Sequence, residues 1–80
     1  MTMDISILIL TLNEESNITA LIDMLRSRMK EMALSNEIVV IDGNSVDNTR
    51  AVAQQAGARV ELQKEPGYGS AFRQGINVCS

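Results

Sequence analysis

Two short apolar runs, residues 5–10 and 38–41, punctuate the chain, and each ends in a polar loop. Residues 5–10 (Ile-Ser-Ile-Leu-Ile-Leu) are nearly all apolar, without alternation. That is the pattern of a strand covered on both faces, as in a parallel sheet. From about Glu15 to Ala33, the residues Ile18, Leu21, Ile22, Leu25, Met29 and Met32 recur at steps of three and four. This spacing predicts a helix with one buried stripe, and Arg26, Arg28, Lys30 and Glu31 fall on its solvated side. Ser35-Asn36 ends that helix, and Glu37 to Ile41 reads as a second strand. Asp47 is a good N-cap for a second helix, which Gly57 stops at the usual left-handed position. Residues 58–62 predict a third strand, residues 64–69 a turn, and residues 70 to about 79 a third helix.

The predicted order is β-α-β-α-β-α. Strands alternating with helices imply an α/β fold with a Rossmann-like parallel sheet and right-handed crossovers. Eighty residues make one small domain, residues 1–80, with no linker or low-complexity stretch to divide it. In a sheet of order 3-2-1-4 the first strand would be central. With no fourth strand in the sequence, its open edge invites another chain or the rest of a larger domain.

Composition removes several classes. Net charge is −3 with the charges interspersed, so there is no basic stripe for nucleic acid. Histidine is absent and Cys79 is the single cysteine, which rules out an internal disulfide and a Cys/His zinc cluster. The cysteine usage suits a reducing, cytoplasmic setting. The first apolar run follows acidic Asp4 and is too short for a membrane span or a signal peptide.

Candidate chemistry gathers in the loops, since ligands of parallel sheets bind at the carboxyl ends of the strands. The first loop offers Thr11, Asn13, Glu14 and Glu15. Asn13 carries donor and acceptor groups suited to a nucleobase edge or a ribose, and the glutamates can accept from ribose hydroxyls. The same residues could instead cap the following helix and favour its positive end. The second loop carries Asp42 at a strand tip, with no sequence-local cation to pair with, and Gly43, suited to close approach or a positive φ. The third, Gly67-Tyr68-Gly69-Ser70-Ala71-Phe72-Arg73, fits either a phosphate cradle at a helix start or a plain turn. Arg73 could reach a phosphate or lie on the surface. A nicotinamide-dependent dehydrogenase and a sugar nucleotidyltransferase are disfavoured, because the first loop has no glycine.

The series SILILTLNEESNI, EIVVIDGNSVDNT, GARV and GYGSAFRQGI resembles the amino-terminal part of family 2 glycosyltransferases of the GT-A fold. The branch most resembled is the dolichol-phosphate mannosyltransferase and undecaprenyl-phosphate sugar transferase group. The resemblance implies a partial GT-A nucleotide-sugar-binding domain. It implies a UDP- or GDP-linked sugar held by Thr11, Asn13, Glu14, Asp42, Gly43, Gly67, Gly69 and Arg73. Asp42 matches an aspartate that contacts the base, and Gly43 stands where the family usually has a second aspartate. Leu10 stands where the family has proline. The family transfers the sugar, in this branch to a polyprenyl phosphate, using Mg²⁺ or Mn²⁺ held by a D-x-D motif. No D-x-D occurs in these 80 residues, so no metal-binding or catalytic residue is assigned, and the chain alone is expected to be inactive. Its place would be cytoplasmic, at the membrane face if missing regions or partners bring it there. The rival expectation is a non-catalytic assembly module that dimerises through its open sheet edge.

Overall fold

The structure, a computed structural model, describes residues 4–79. Its elements run β1 (Ile5–Thr11), α1 (Ile18–Glu31), β2 (Asn36–Asp42), α2 (Thr49–Gln55), β3 (Arg59–Leu62) and α3 (Tyr68–Val78). The three strands form one parallel sheet in the order β1-β2-β3. Register runs from Ile5 opposite Asn36 to Thr11 opposite Asp42, and from Val39 opposite Arg59 to Asp42 opposite Leu62. All three strand tips therefore finish together.

The non-alternating runs are explained by helices on both faces. Ile7, Ile9, Ile38, Val40 and Val60 meet Ile18 and Ile22 of α1 and Ala53 of α2. Leu8, Leu10, Val39 and Ile41 turn the other way, towards Ala71 and Val78. Central β2 is covered on both sides, and Ile38 to Ile41 are at most 2% exposed. Burying a side chain of this kind contributes roughly 1.5–3 kcal/mol, so β2 is the main source of core stability. Strand β1 lies at an edge, half-buried, and Ile5, Phe72 and Ile76 are exposed.

Some predicted boundaries move for local reasons. Helix α1 starts at Ile18 and not near Glu15, because the Glu14 carbonyl first accepts the Asn17 and Ile18 amides. Its buried stripe is narrower than the spacing predicts. Ile18, Ile22 and Met29 are covered, Leu25 is half-buried, and Leu21 and Met32 are exposed. Met32 already caps the helix, and Ala33 turns the chain with φ of 54°. Arg26, placed on the solvated side, donates to the Gly57 carbonyl at 2.6 Å. Gly57 has the left-handed φ of 98° that its place after α2 requires. Helix α3 begins two residues early, at Tyr68, after Gly67 with φ of 94°.

Helix α3 sits close to the sheet through its small residues Ala71 and Gly75. A Cβ at Gly75 would fall inside contact distance of Leu8 Cδ1 and 2.6 Å from its Cδ2. Overpacking of this kind costs about 1–3 kcal/mol. Gly75→Val should lower the thermal midpoint in a circular-dichroism melt. An unchanged or higher midpoint would contradict this packing of α3 on β1.

Candidate functional site

The site begins with the register of β1 and β2. Thr11 and Asp42 are partners across the ladder, and the Thr11 hydroxyl donates to Asp42 Oδ1 at 2.7 Å. Beyond them the chain continues as two loops on neighbouring parallel tips, as the sequence predicts.

Asp42 is wholly buried. Its Oδ1 accepts from the Thr11 and Ser45 hydroxyls, the latter at 2.6 Å. Its Oδ2 accepts from the Ser45 amide at 2.7 Å and from the Arg50 guanidinium at 2.9 Å. A carboxylate offers about four lone-pair positions, and all are filled by the protein itself. Burial pushes the Asp42 pKa up. The Ser45 hydroxyl and amide, the Thr11 hydroxyl and Arg50 outweigh it and hold the carboxyl below the ordinary aspartate value. The expectation that Asp42 lacks a cation is corrected here, because Arg50, on the first turn of α2, folds back to it.

The two loops are then stitched together, residue by residue. The Asn13 amide donates to Ser45 Oγ at 2.8 Å, and the Glu14 amide to Thr49 Oγ1 at 2.8 Å. The Glu15 amide reaches Asp47 Oδ2 at 3.3 Å. In return, the Val46 amide donates to Asn13 Oδ1 at 2.9 Å and the Asn48 amide to Glu15 Oε1 at 3.0 Å. The Thr49 hydroxyl in turn donates a hydrogen bond to Asp47 Oδ1, which also accepts from the Thr49 amide. The Thr49 hydroxyl is the leading cause that lowers the Asp47 pKa. Asp47, predicted as the N-cap of α2, lies one residue before it: Asn48 holds that position without a side-chain bond, while Asp47 accepts the Thr49 amide and ties in the first loop. Asn13 and Asn44 take left-handed φ values of 55° and 69°, which asparagine tolerates better than most residues.

A cleft of about 650 Å³ opens beside this stitched pair, between it and the start of α3. Thr11, Leu12 and Glu14 form one wall, Gly43 and Asn44 the floor, and Gln63 to Tyr68 the far wall. Gly43 does not take a positive φ. It serves close approach, since a Cβ there would lie 3.3 Å from Gln63 Oε1 and 3.4 Å from the Thr11 carbonyl. Gly67 lines the cleft at the N-terminus of α3, where unpaired amides favour anions.

Thus Thr11, Glu14, Gly43 and Gly67 reach the cleft, whereas Asn13, Asp42, Gly69 and Arg73 do not line it. The side-chain oxygen of Asn13 is taken by Val46, and Asp42 is sealed behind Thr11 and Ser45. Asn13 does not cap α1 either; Asn17 holds that position. Arg73 lies one turn into α3, bonded to Ser70 at 3.2 Å. Of the first-loop polar side chains, Glu14 makes no hydrogen bond among the described residues and lines the cleft. Sequence reasoning missed Arg50, Gln63 and Lys64. The signal for Gln63 was its place directly after β3, one step beyond the partner of Asp42. Among the described residues, no three His, Cys, Asp or Glu side chains converge as a metal site.

Asp42→Asn keeps the shape and removes the charge, and its NH₂ group then faces either the two N–H donors that met Oδ2 or the two hydroxyls that met Oδ1. Hydrogen bonds to charged groups are worth about 1.5–3 kcal/mol, and a loss of that size is expected at neutral pH. The folded pKa of Asp42 lies below its unfolded value, so its contribution is complete above about pH 5 and fades as pH falls through the folded value. Urea midpoints of the two proteins should differ at pH 7, and the gap should narrow progressively as the pH falls below about 4. A gap that stays constant across that range would contradict the ionised clasp.

Comparison with known proteins follows this geometry. A glycosyltransferase of Haloferax volcanii, AglJ, is 38% identical over 72 residues, 90% of this chain and 22% of that protein. An uncharacterised glycosyltransferase of Mycobacterium tuberculosis is 32% identical over 72 residues, 90% of this chain and 30% of its own length. The glucosyl-3-phosphoglycerate synthase of M. tuberculosis, solved with Mn²⁺, uridine diphosphate and phosphoglyceric acid, matches with a TM-score of 0.80 at 32% identity. That match covers 95% of this chain and 29% of the synthase. A likeness of fold extends to mannosyl-3-phosphoglycerate synthase from Rubrobacter xylanophilus, with a TM-score of 0.88 at 23% identity over 98% of this chain and 28% of that one. The chain spans less than a third of the length of these relatives. No helix among the described residues is long and apolar enough to cross a membrane. The model of glycosyl transferase family 2 matches residues 6–80, and the chain belongs to that family, with the parallel Rossmann-like sheet of the GT-A fold.

Proposed function

We propose that this stretch binds the nucleoside-diphosphate part of a sugar donor, UDP- or GDP-linked, within a glycosyltransferase. The observation that carries the reading is a cleft lined by Glu14, whose side chain makes no hydrogen bond among the described residues, with the N-terminus of α3 at its opposite end. A carboxylate suits ribose hydroxyls, and helix amides suit a diphosphate. The nucleoside would lie against Leu12, Glu14 and Gly43, and the diphosphate towards Gly67 and Lys64. Thr11, Asn13 and Asp42 then hold the walls in place, while Gly69 and Arg73 stand beyond the nucleoside, nearer the sugar. The uridine diphosphate bound by the mycobacterial synthase supports the same ligand class.

The acceptor we propose is a molecule bearing a phosphate. The resemblance in the loops implies a polyprenyl phosphate, whereas the mycobacterial synthase was solved with phosphoglyceric acid. A cytoplasmic donor pool suits this chemistry. The metal and the catalytic base would come from outside this stretch, so binding, and not turnover, is the property to measure.

Titration with UDP and GDP should shift the amides of Glu14, Gly43 and Gly67 in an NMR spectrum. Glu14→Ala should weaken binding by about tenfold or more, the worth of one charge-assisted hydrogen bond. Its melting temperature should stay unchanged, because the Glu14 side chain supports no internal bond. No shift at millimolar nucleotide would contradict the proposal. Silent loops in a protein that sediments as a dimer would favour assembly through the open β1 edge instead.

A further inference from the structure

Gln63 follows β3 directly, and its amide extends the ladder by donating to the Asp42 carbonyl at 2.7 Å. Its side chain therefore lies beside Gly43, with Oε1 3.3 Å from the point a Cβ at that glycine would occupy. Both residues line the cleft. The carboxamide cannot turn over freely. Its Nε2 donates to the Glu65 carbonyl at 2.5 Å and to the Gly67 carbonyl at 3.1 Å, so both hydrogens are used. Rotation by half a turn would set Oε1 against two carbonyl oxygens. Among the described residues nothing donates to Oε1. The group left at the Gly43 wall is thus an oriented, unpaired acceptor.

We propose that Gln63 Oε1 determines base specificity by accepting the imino N–H of the nucleobase, so that uracil or guanine is chosen over cytosine or adenine. This rests on the donor-site reading above. Uracil N3 and guanine N1 carry a hydrogen at neutral pH. Cytosine N3 and adenine N1 present lone pairs, which would oppose Oε1 in the cleft and leave both acceptors without a donor. Gly43 belongs to the same device, because any side chain there would crowd the oxygen. The far wall thereby supplies the base contact, and the carbonyls of Glu65 and Gly67 fix its polarity. Gln63 is a positioned reader and takes no part in bond making.

Isothermal titration with UDP, CDP, GDP and ADP tests this, since each pair keeps ring size and changes the hydrogen-bonding edge. For whichever ring size the cleft admits, the imino-bearing member should bind at least about tenfold more tightly. Gln63→Leu should reduce that ratio to within about threefold while diphosphate-driven binding persists. A wild type that does not discriminate overturns the inference, and that arm needs no variant to fold. A ratio that survives in Gln63→Leu overturns it too, while leaving the donor site standing. Absence of binding by all four nucleotides would end the donor-site reading and this inference together.

Discussion

The site depends on one buried carboxylate. Asp42 ends the central strand and gathers donors from β1, from its own loop and from α2. Removing such a group from water is costly unless every lone pair is met, and here each is. Because Thr11, Ser45 and Arg50 come from three elements, satisfying the charge also fixes how those elements sit. Ser45, held this way, can accept the Asn13 amide, and Thr49 accepts the Glu14 amide one residue later. The order of the first loop is therefore inherited from the second.

This division of labour explains why the polar loop residues differ in use. An oxygen already bonded to protein has less capacity left for a ligand than one with no partner. Asn13 Oδ1, Glu15 Oε1 and the carboxylates of Asp42 and Asp47 serve the stitch, whereas Glu14 lines the cleft and its side chain makes no hydrogen bond among the described residues. Preorganised walls bind at a lower entropic cost than mobile loops, which is what such a stitch provides. Glycine serves the same end at two places by leaving room. At Gly43 the room lets Gln63 approach the strand tip, and at Gly75 it lets α3 rest on Leu8.

Much of the architecture was legible in the residues. A short, β-branched, non-alternating run such as Ile38 to Ile41 has the pattern of a strand covered twice, and Gly57 marks a left-handed stop that few other residues tolerate. The gathering of the loops at one edge, where the candidate site lies, was legible too, since parallel strands bring their tips together. The roles within it were not. An asparagine looks the same in sequence whether its oxygen serves a ligand or the Val46 amide. Arg50 lies eight residues from Asp42, across a loop whose path decides whether they meet. Gln63 fell between the predicted third strand and the turn at residues 64–69, and its meaning appeared only once β3 was registered against Asp42.

Hydrogen exchange at the backbone amides of Asn13, Glu14 and Glu15 tests the stitched loops most directly. These amides belong to a loop without regular secondary structure, yet each is bonded to a side chain of the neighbouring loop. In the protein without ligand, Asn13 and Glu14 should exchange about as slowly as the amides of β1, with Glu15 somewhat faster because its bond is longer and exposed. Exchange of all three at the rate of an open, solvated chain would contradict a first loop held in place by the second.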